Sequence, residues 1–292
     1  MSHKFSVIIP AYNEEAGIKS TLDELINYPG MEEAEIIVVD DGSTDRTREI
    51  VSNIGKRVRL LKHNINKGYG SSIITGAKMA SHDIIAWYDA DGQHRPGDLL
   101  KLINEMYSDD FDYCIGVRNK ESYRVKSRVM GMFILRLVIN WMSKAGKTDF
   151  NSGMRAFKKS VLLRIIHLLP ERFGASTVTT MLMQDLNYYG GQISITVRKR
   201  EGTSSVRQIR DGFRTIALAW NIILLFRAMQ FFTPLGLIFI IPGCFYGLHE
   251  ALVYGEGFPV LASVFIIFGF QILLFGITIM QISKIRKDMI MR

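Results

Sequence analysis

Cysteine is scarce: the chain has 292 residues and two of them, Cys114 and Cys244, the second inside an apolar run. That excludes a disulfide framework and a thiolate metal cluster. Charge is missing over one long stretch, because no lysine or arginine lies between Arg227 and Lys284 and the only acids there are Glu250 and Glu256. The gap divides into uncharged segments at 228–248 and 257–283, each near the ~20 residues that a bilayer-spanning helix needs. Runs of this length without a charge are rare in soluble cores, so they predict two transmembrane helices, about 229–249 and 258–282. A hydrophobic share of 48% against 22% charged residues excludes a disordered chain. The mean hydropathy of +0.12 lies between a soluble enzyme and a polytopic membrane protein, which predicts a mixture of the two.

The charges that are present flank the gap. Arg207, Arg210, Arg214 and Arg227 precede it, Lys284, Arg286, Lys287 and Arg292 follow it, and the connecting segment 249–258 carries no basic residue. The positive-inside rule then puts both termini in the cytosol, with 284–292 as a basic tail and the hairpin tip on the far side of the membrane. The apolar run Phe5–Pro10 is too short for a signal sequence, so the N-terminal domain is expected in the cytosol. A pI of about 9.4 reads as attraction to anionic lipid heads and phosphates, with nucleic acid not expected as a partner.

Residues 1–205 alternate β-branched runs with helical patterns. Phe5–Ile9, Glu35–Val39, Arg57–Lys62 and Ile84–Tyr88 read as strands; Glu14–Tyr28, Arg46–Ile54 and the region Ser71–Ala80 read as helices. Apolar strands alternating with helices predict an α/β fold, a mostly parallel sheet flanked by helices. In such sheets ligands bind at the carboxyl ends of the strands. Two further segments approach the membrane. The stretch at about 125–143 is apolar around most of its circumference and is expected to lie in the lipid interface. In 206–227, Arg207, Arg210, Asp211 and Arg214 share one side while Phe213, Ile216, Trp220, Ile223 and Leu224 recur at helical spacing, which predicts an amphipathic juxtamembrane helix; a core-facing helix is the alternative.

Three loops close strands. Pro10-Ala11-Tyr12-Asn13-Glu14-Glu15 and Val39-Asp40-Asp41-Gly42-Ser43-Thr44-Asp45 end neighbouring strands, a place where Tyr12 can stack a nucleobase and Asp41 can accept hydrogen bonds from a base or ribose. A plain turn and helix cap is the alternative reading of each. The third, Asp89-Ala90-Asp91-Gly92-Gln93-His94, sets two carboxylates two positions apart on an extended segment, with an amide two further on. Hard oxygen ligands of this kind suit Mg²⁺ or Mn²⁺ bridged to a diphosphate, and such a metal neutralises the charge that grows on a departing nucleotide.

With Asn66-Lys67-Gly68, these ordered motifs resemble the family 2 glycosyltransferases of GT-A fold, and most of all the polyprenyl-phosphate sugar transferases of the dolichol-phosphate mannose synthase type. The resemblance covers residues 5 to about 215. It implies that Pro10, Tyr12, Glu14, Val39 and Asp41 hold the nucleotide and that Asp89, Ala90 and Asp91 lie at the diphosphate. It implies Asp91 and Gln93 as metal ligands, to which the Asp89–Asp91 spacing adds Asp89. Arg118 and Arg128 match arginines that receive the acceptor phosphate, and a guanidinium fork does donate two bonds to phosphate at once. Arg118 paired with an acid and Arg128 snorkelling from an interfacial helix are the structural alternatives.

Asp149-Phe150-Asn151-Ser152-Gly153-Met154-Arg155 resembles the family's segment between sheet and acceptor site, with Asp149 and Arg155 as shaping residues. Arg198-Lys199-Arg200-Glu201-Gly202-Thr203-Ser204 resembles the mobile basic loop over the diphosphate; Ser205 stands where lysine is frequent, and Arg200 is favoured over Lys199 as the closing cation. The segment 176–188 lacks the acidic pair that many members use as a general base. A phosphate monoester is already anionic and attacks without a protein base, whereas a hydroxyl needs one. The expectation is therefore an inverting, metal-dependent transferase that moves a sugar from a GDP- or UDP-linked donor to a polyprenyl phosphate at the cytosolic face, with Asp149 as reserve base. The alternatives are a family 2 enzyme acting on a hydroxyl of a glycan or lipid, and a non-catalytic membrane protein that retains the fold. Gly236, Gly243, Gly247, Gly269 and Gly276 offer small surfaces for a homo-oligomer.

Overall fold

The computed structural model describes residues 3–119, 121–123, 149–150, 152–200, 217, 220–221, 224, 227–255 and 257–291. Arg128, the expected interfacial helix at 125–143, Ser205 and most of the expected juxtamembrane helix at 206–227 lie outside them. The described residues fall into two compact units, an N-terminal α/β unit reaching Arg200 and a C-terminal helical unit from Ala217 onward.

The α/β unit is built on seven strands: β1 (Phe5–Ala11), β2 (Ala34–Asp40), β3 (Val58–Lys62), β4 (Ile84–Trp87), β5 (Tyr113–Arg118), β6 (Arg155–Lys158) and β7 (Gly190–Ile195). Their order is β3-β2-β1-β4-β6-β5-β7. Every neighbouring pair is parallel except those made by β6, which runs antiparallel between β4 and β5. The mostly parallel sheet is thus as the strand pattern predicts, and one reversed strand stands inside it.

Both sheet faces are covered, which explains why β1 and β2 are apolar at nearly every position rather than alternately. Val7, Ile9, Ile36 and Val38 face a layer holding Leu22 and Leu25 of α1 (Ile18–Ile26), Val51 of α2 (Thr47–Asn53) and Leu99, Leu102 and Ile103 of α4 (Pro96–Ser108). Ile8 faces the other way, towards α3 (Tyr69–Met79), where any side chain at Gly76 would collide with it. Two further helices, α5 (Lys159–Ile165) and α6 (Ala175–Asp185), belong to the unit. Because β6 is reversed, the loop before Arg155 arrives at the same sheet edge as the loops after β1, β2, β4, β5 and β7. The described motif loops converge on that edge.

In the helical unit α7 (Ala228–His249) runs into a π-helical turn at Glu250–Tyr254, Gly255 breaks the turn in the left-handed region at φ 66°, and α8 (Val260–Met291) returns. Both helices are long and apolar enough to cross a membrane, close to the lengths that the charge gap predicts. α8 continues through Lys284, Arg286 and Lys287. Pro234 and Pro242 sit inside α7. The five glycines proposed for self-association serve the hairpin itself: Gly236 faces Leu273 and the Gly269 carbonyl, Gly243 faces Phe265 and Ile266, Gly247 faces Phe258, and Gly276 faces Phe232. Small residues let the two backbones approach closely.

Candidate active site

The first two motif loops are laced together. The Asn13 amide donates to Ser43 Oγ (3.1 Å), the Thr44 amide to Asn13 Oδ1 (2.8 Å), the Glu14 amide to Thr47 Oγ1 (2.8 Å) and the Glu15 amide to Asp45 (3.1 Å). Asn13 takes up φ 54°, a left-handed conformation that asparagine tolerates, to turn the chain there. Tyr12 and Pro10 remain half-buried beside this lacing, whereas Val39 is fully buried in β2 and its side chain belongs to the core. Asp40 is structural: it pairs with Arg48 at 2.7 Å and accepts the Ser43 amide. Asp41 accepts the amides of Lys67 (2.9 Å) and Gly68 (2.7 Å) and the ring of His63 (2.7 Å), so the Asn66-Lys67-Gly68 motif reaches the site through it.

Asp89 and Asp91 stand side by side after β4, in different surroundings. Asp89 accepts from His94 Nε2 at 3.0 Å and from Tyr69 Oη at 3.3 Å. Burial pushes its pKa up, but His94, Tyr69 and the Arg200 charge together hold it below the usual carboxylate value. Asp91 is raised to about 6, by burial first and by the neighbouring Asp89 charge second. Burial likewise raises Glu14 to about 7, against the pull of Arg200. Arg200 bridges this acidic group, ion-paired with Glu14 and 3.5 Å from Asp91 Oδ2. Its segment is fastened by the Arg198 amide to the Gln93 carbonyl (2.9 Å), by the Gln93 side-chain amide to the Arg198 carbonyl (3.1 Å) and by the bidentate Arg198–Glu24 pair. Lys199 is exposed alongside.

This donor set suits a hard divalent cation. Asp91, which is buried, meets the partly exposed Asp89, whose charge helps to drive Asp91 up in pKa, and a guanidinium supplies the compensating positive charge. Among the described residues no three acidic, histidine or cysteine side chains converge as a ligand set. Asp89 and Asp91 suit a cation of the Mg²⁺ type, which takes one or two carboxylates and completes its shell from water and substrate phosphates. The Gln93 nitrogen is committed to Arg198, which leaves its amide oxygen as the atom that a metal would use.

Arg118 is paired with Asp149 through one edge of its guanidinium, Nε donating to Oδ2 at 2.5 Å and Nη2 to Oδ1 at 2.8 Å, so the acid and the arginine meet each other in this state. Arg155 is fully buried. It donates to the carbonyls of Ser152 (2.7 Å) and Ser176 (2.7 Å) and to Thr180 Oγ1 (2.9 Å), under the face of Trp87 at 5.5 Å. It thereby ties the 149–152 loop to α6, and burial lowers its pKa to about 10. Directly above lies Gly153, where any Cβ would collide with the Asp89 carboxylate.

Sequence reasoning brings out Glu14, Asp41, Asp89, Asp91, Gln93, Arg118 and Arg200, which the fold gathers at one edge, and misses His63, Tyr69 and Gly153. His63 precedes Asn66 by three positions and Tyr69 follows Gly68, so closeness to a motif is the only signal either carried. His94 lies inside the quoted motif without a role, and it proves to be the partner of Asp89.

Residues 6–166 match the family described as Glycosyl transferase family 2. The UDP-N-acetylglucosamine–dolichyl-phosphate N-acetylglucosaminyltransferase of Methanococcus voltae is 36% identical over 178 residues, which cover 53% of this chain and 70% of that protein. The dolichol-phosphate mannosyltransferase of Pyrococcus furiosus is 36% identical over 126 residues, 42% of this chain and 36% of that one. Among solved structures, glucosyl-3-phosphoglycerate synthase from Mycobacterium tuberculosis, in complex with Mn²⁺, UDP and phosphoglyceric acid, superposes with a TM-score of 0.59 at 20% identity, covering 76% of each chain. At that identity the likeness speaks for the fold.

Proposed function

We propose, from the premise that this chain belongs to glycosyl transferase family 2, that it transfers a sugar from a nucleotide-diphosphate donor to a polyprenyl phosphate at the cytosolic face of a membrane. The observation that carries the reading is the bridge that Arg200 makes between Glu14 and Asp91, with Asp89 beside them, at the carboxyl edge of the sheet. Pro10, Tyr12, Glu14 and Asp41 line the donor side, whereas Val39 and Ala90 have their side chains in the core and would meet the donor through backbone alone. Asp89, Asp91 and Gln93 would hold Mg²⁺ or Mn²⁺, which when bound supplies the charge that a leaving diphosphate needs. Arg200 exchanges its carboxylate partners for the diphosphate, and preorganised charge of this kind is commonly the largest contribution to catalysis.

Two observations favour a phosphate acceptor over a hydroxyl. Asp149, the reserve base, has both carboxylate oxygens engaged by Arg118, and an anionic acceptor needs no base. Arg118, with Arg128, then receives the acceptor phosphate, which attacks the anomeric carbon opposite the departing diphosphate and inverts it. The relatives named for dolichyl-phosphate transfer point the same way. The apolar hairpin would anchor the chain in the bilayer with both termini cytosolic, bringing the lipid acceptor to the site. A transfer assay with radiolabelled donors and polyprenyl phosphate as sole acceptor tests the reading. Labelled lipid phosphate is the expected product, and label appearing only on an added hydroxyl acceptor overturns it.

A further inference from the structure

Most of Asp41's hydrogen-bonding capacity is used inside the protein. An ionised carboxylate offers about four lone-pair positions, two on each oxygen. Oδ1 takes His63 Nδ1 at 2.7 Å and the Lys67 amide at 2.9 Å, and Oδ2 takes the Gly68 amide at 2.7 Å. Against a carboxylate Nδ1 is the donor, and the other ring nitrogen of His63 is 2.9 Å from Thr75 Oγ1, which fixes the ring from both ends. With Asp41 at 3% exposure and His63 at 6%, water does not rearrange these bonds freely. Among the described residues, Oδ1 is full and Oδ2 keeps one acceptor position.

We infer that His63 makes the donor site selective for uracil over guanine, so that the donor is a uridine-diphosphate sugar. This rests on the proposed function, in which Asp41 lines the donor side, and takes Asp41 to accept from the base rather than from the ribose. Uracil presents a single N–H between two carbonyl oxygens. Guanine presents two N–H donors side by side, a pattern that suits a carboxylate with both oxygens available. With Oδ1 filled by His63 and Lys67, one guanine donor is left buried without a partner, and sites built from hydrogen bonds discriminate strongly against such a mismatch. His63 acts here as a specificity-determining residue through Asp41, without touching the base.

The test is calorimetric titration of the full-length protein in detergent with UDP and with GDP, both in the presence of Mn²⁺. UDP is expected to bind at least about tenfold more tightly. His63→Ala frees an Oδ1 position and is expected to narrow the preference to within roughly threefold, whereas His63→Asn, whose amide nitrogen takes the place of Nδ1, keeps it. GDP binding as tightly as UDP to the unaltered protein overturns the inference and leaves the sugar-transfer reading standing. An unchanged ratio in the folded alanine variant also overturns the role of His63. If that variant does not fold, the ratio for the unaltered protein decides. Binding of neither nucleotide overturns the proposed function, and the inference with it.

Discussion

The two units of the chain bury opposite things. In the α/β unit Val7, Ile9, Leu22 and Leu99 are inside, and the buried charges among them, such as Asp41, Asp91 and Arg155, are each held by hydrogen bonds or ion pairs. In the hairpin the glycines point inward, while Phe245 at 75% and Leu274 at 61% exposure point out. Removal of apolar surface from water drives the first arrangement. A hairpin in lipid, as proposed, gains nothing by hiding leucine and relies on close backbone approach. Sensitivity to mutation should follow this division: carboxylates and one glycine in the first unit set activity, and glycines in the second set helix association.

The largest effect is expected from Asp91→Ala, with sugar transfer falling by at least about 10²–10³-fold while the thermal midpoint by circular dichroism holds or rises. A collapse of the midpoint would mean that the acidic group holds the fold together, and the division would fail. Next comes Gly153→Ala, whose Cβ displaces the Asp89 carboxylate. A shift of that order at the reacting centre is expected to lower kcat/KM by about 10–100-fold, with hairpin stability in detergent unaffected.

Gly236→Leu is the reciprocal probe, since a side chain there meets Leu273 and the Gly269 carbonyl. It should cost the hairpin about 1–3 kcal/mol of packing, read as lowered resistance to denaturing detergent, with nucleotide binding unchanged. The smallest effect concerns Glu35, at the far end of β2, which accepts Ser6 Oγ (2.6 Å) and the Ser81 amide (2.7 Å). Burial raises its pKa, but these bonds and Arg59 lower it further, to a value below the ordinary 4.5. A depressed carboxylate contributes stability above its unfolded pKa and loses it as pH falls through the folded one. Glu35→Gln should therefore weaken the protein slightly at pH 7 and flatten the acid side of its stability profile, as urea titrations from pH 7 down to pH 3 will read.

Much of this architecture is legible in sequence because its signals are local. The runs that become β1, β2, β3 and β4 are apolar enough to declare a covered sheet, and the charge gap declares the two long helices. Arg155–Lys158 gives no such sign: four residues carry too little pattern, and its reversal is fixed by pairing with β4 and β5, far away in the chain. The site divides in the same way. Asp89 and Asp91 announce themselves by spacing, but the Asp41–His63 and Arg118–Asp149 pairs join positions 22 and 31 residues apart, which only the fold brings together. Gly153 is invisible until Asp89 is seen lying against it. The five glycines pack the two helices of the hairpin against each other, which sequence does not reveal because small residues look alike whichever helix they face.

The reversed strand has an engineering consequence. The chain departs at Arg118 and comes back at Arg155, and both fastening points belong to one rim, so a cassette spliced between them leaves every rung of the sheet in register. Swapping that cassette among relatives is the natural way to build hybrids that keep the donor half and exchange the proposed acceptor side.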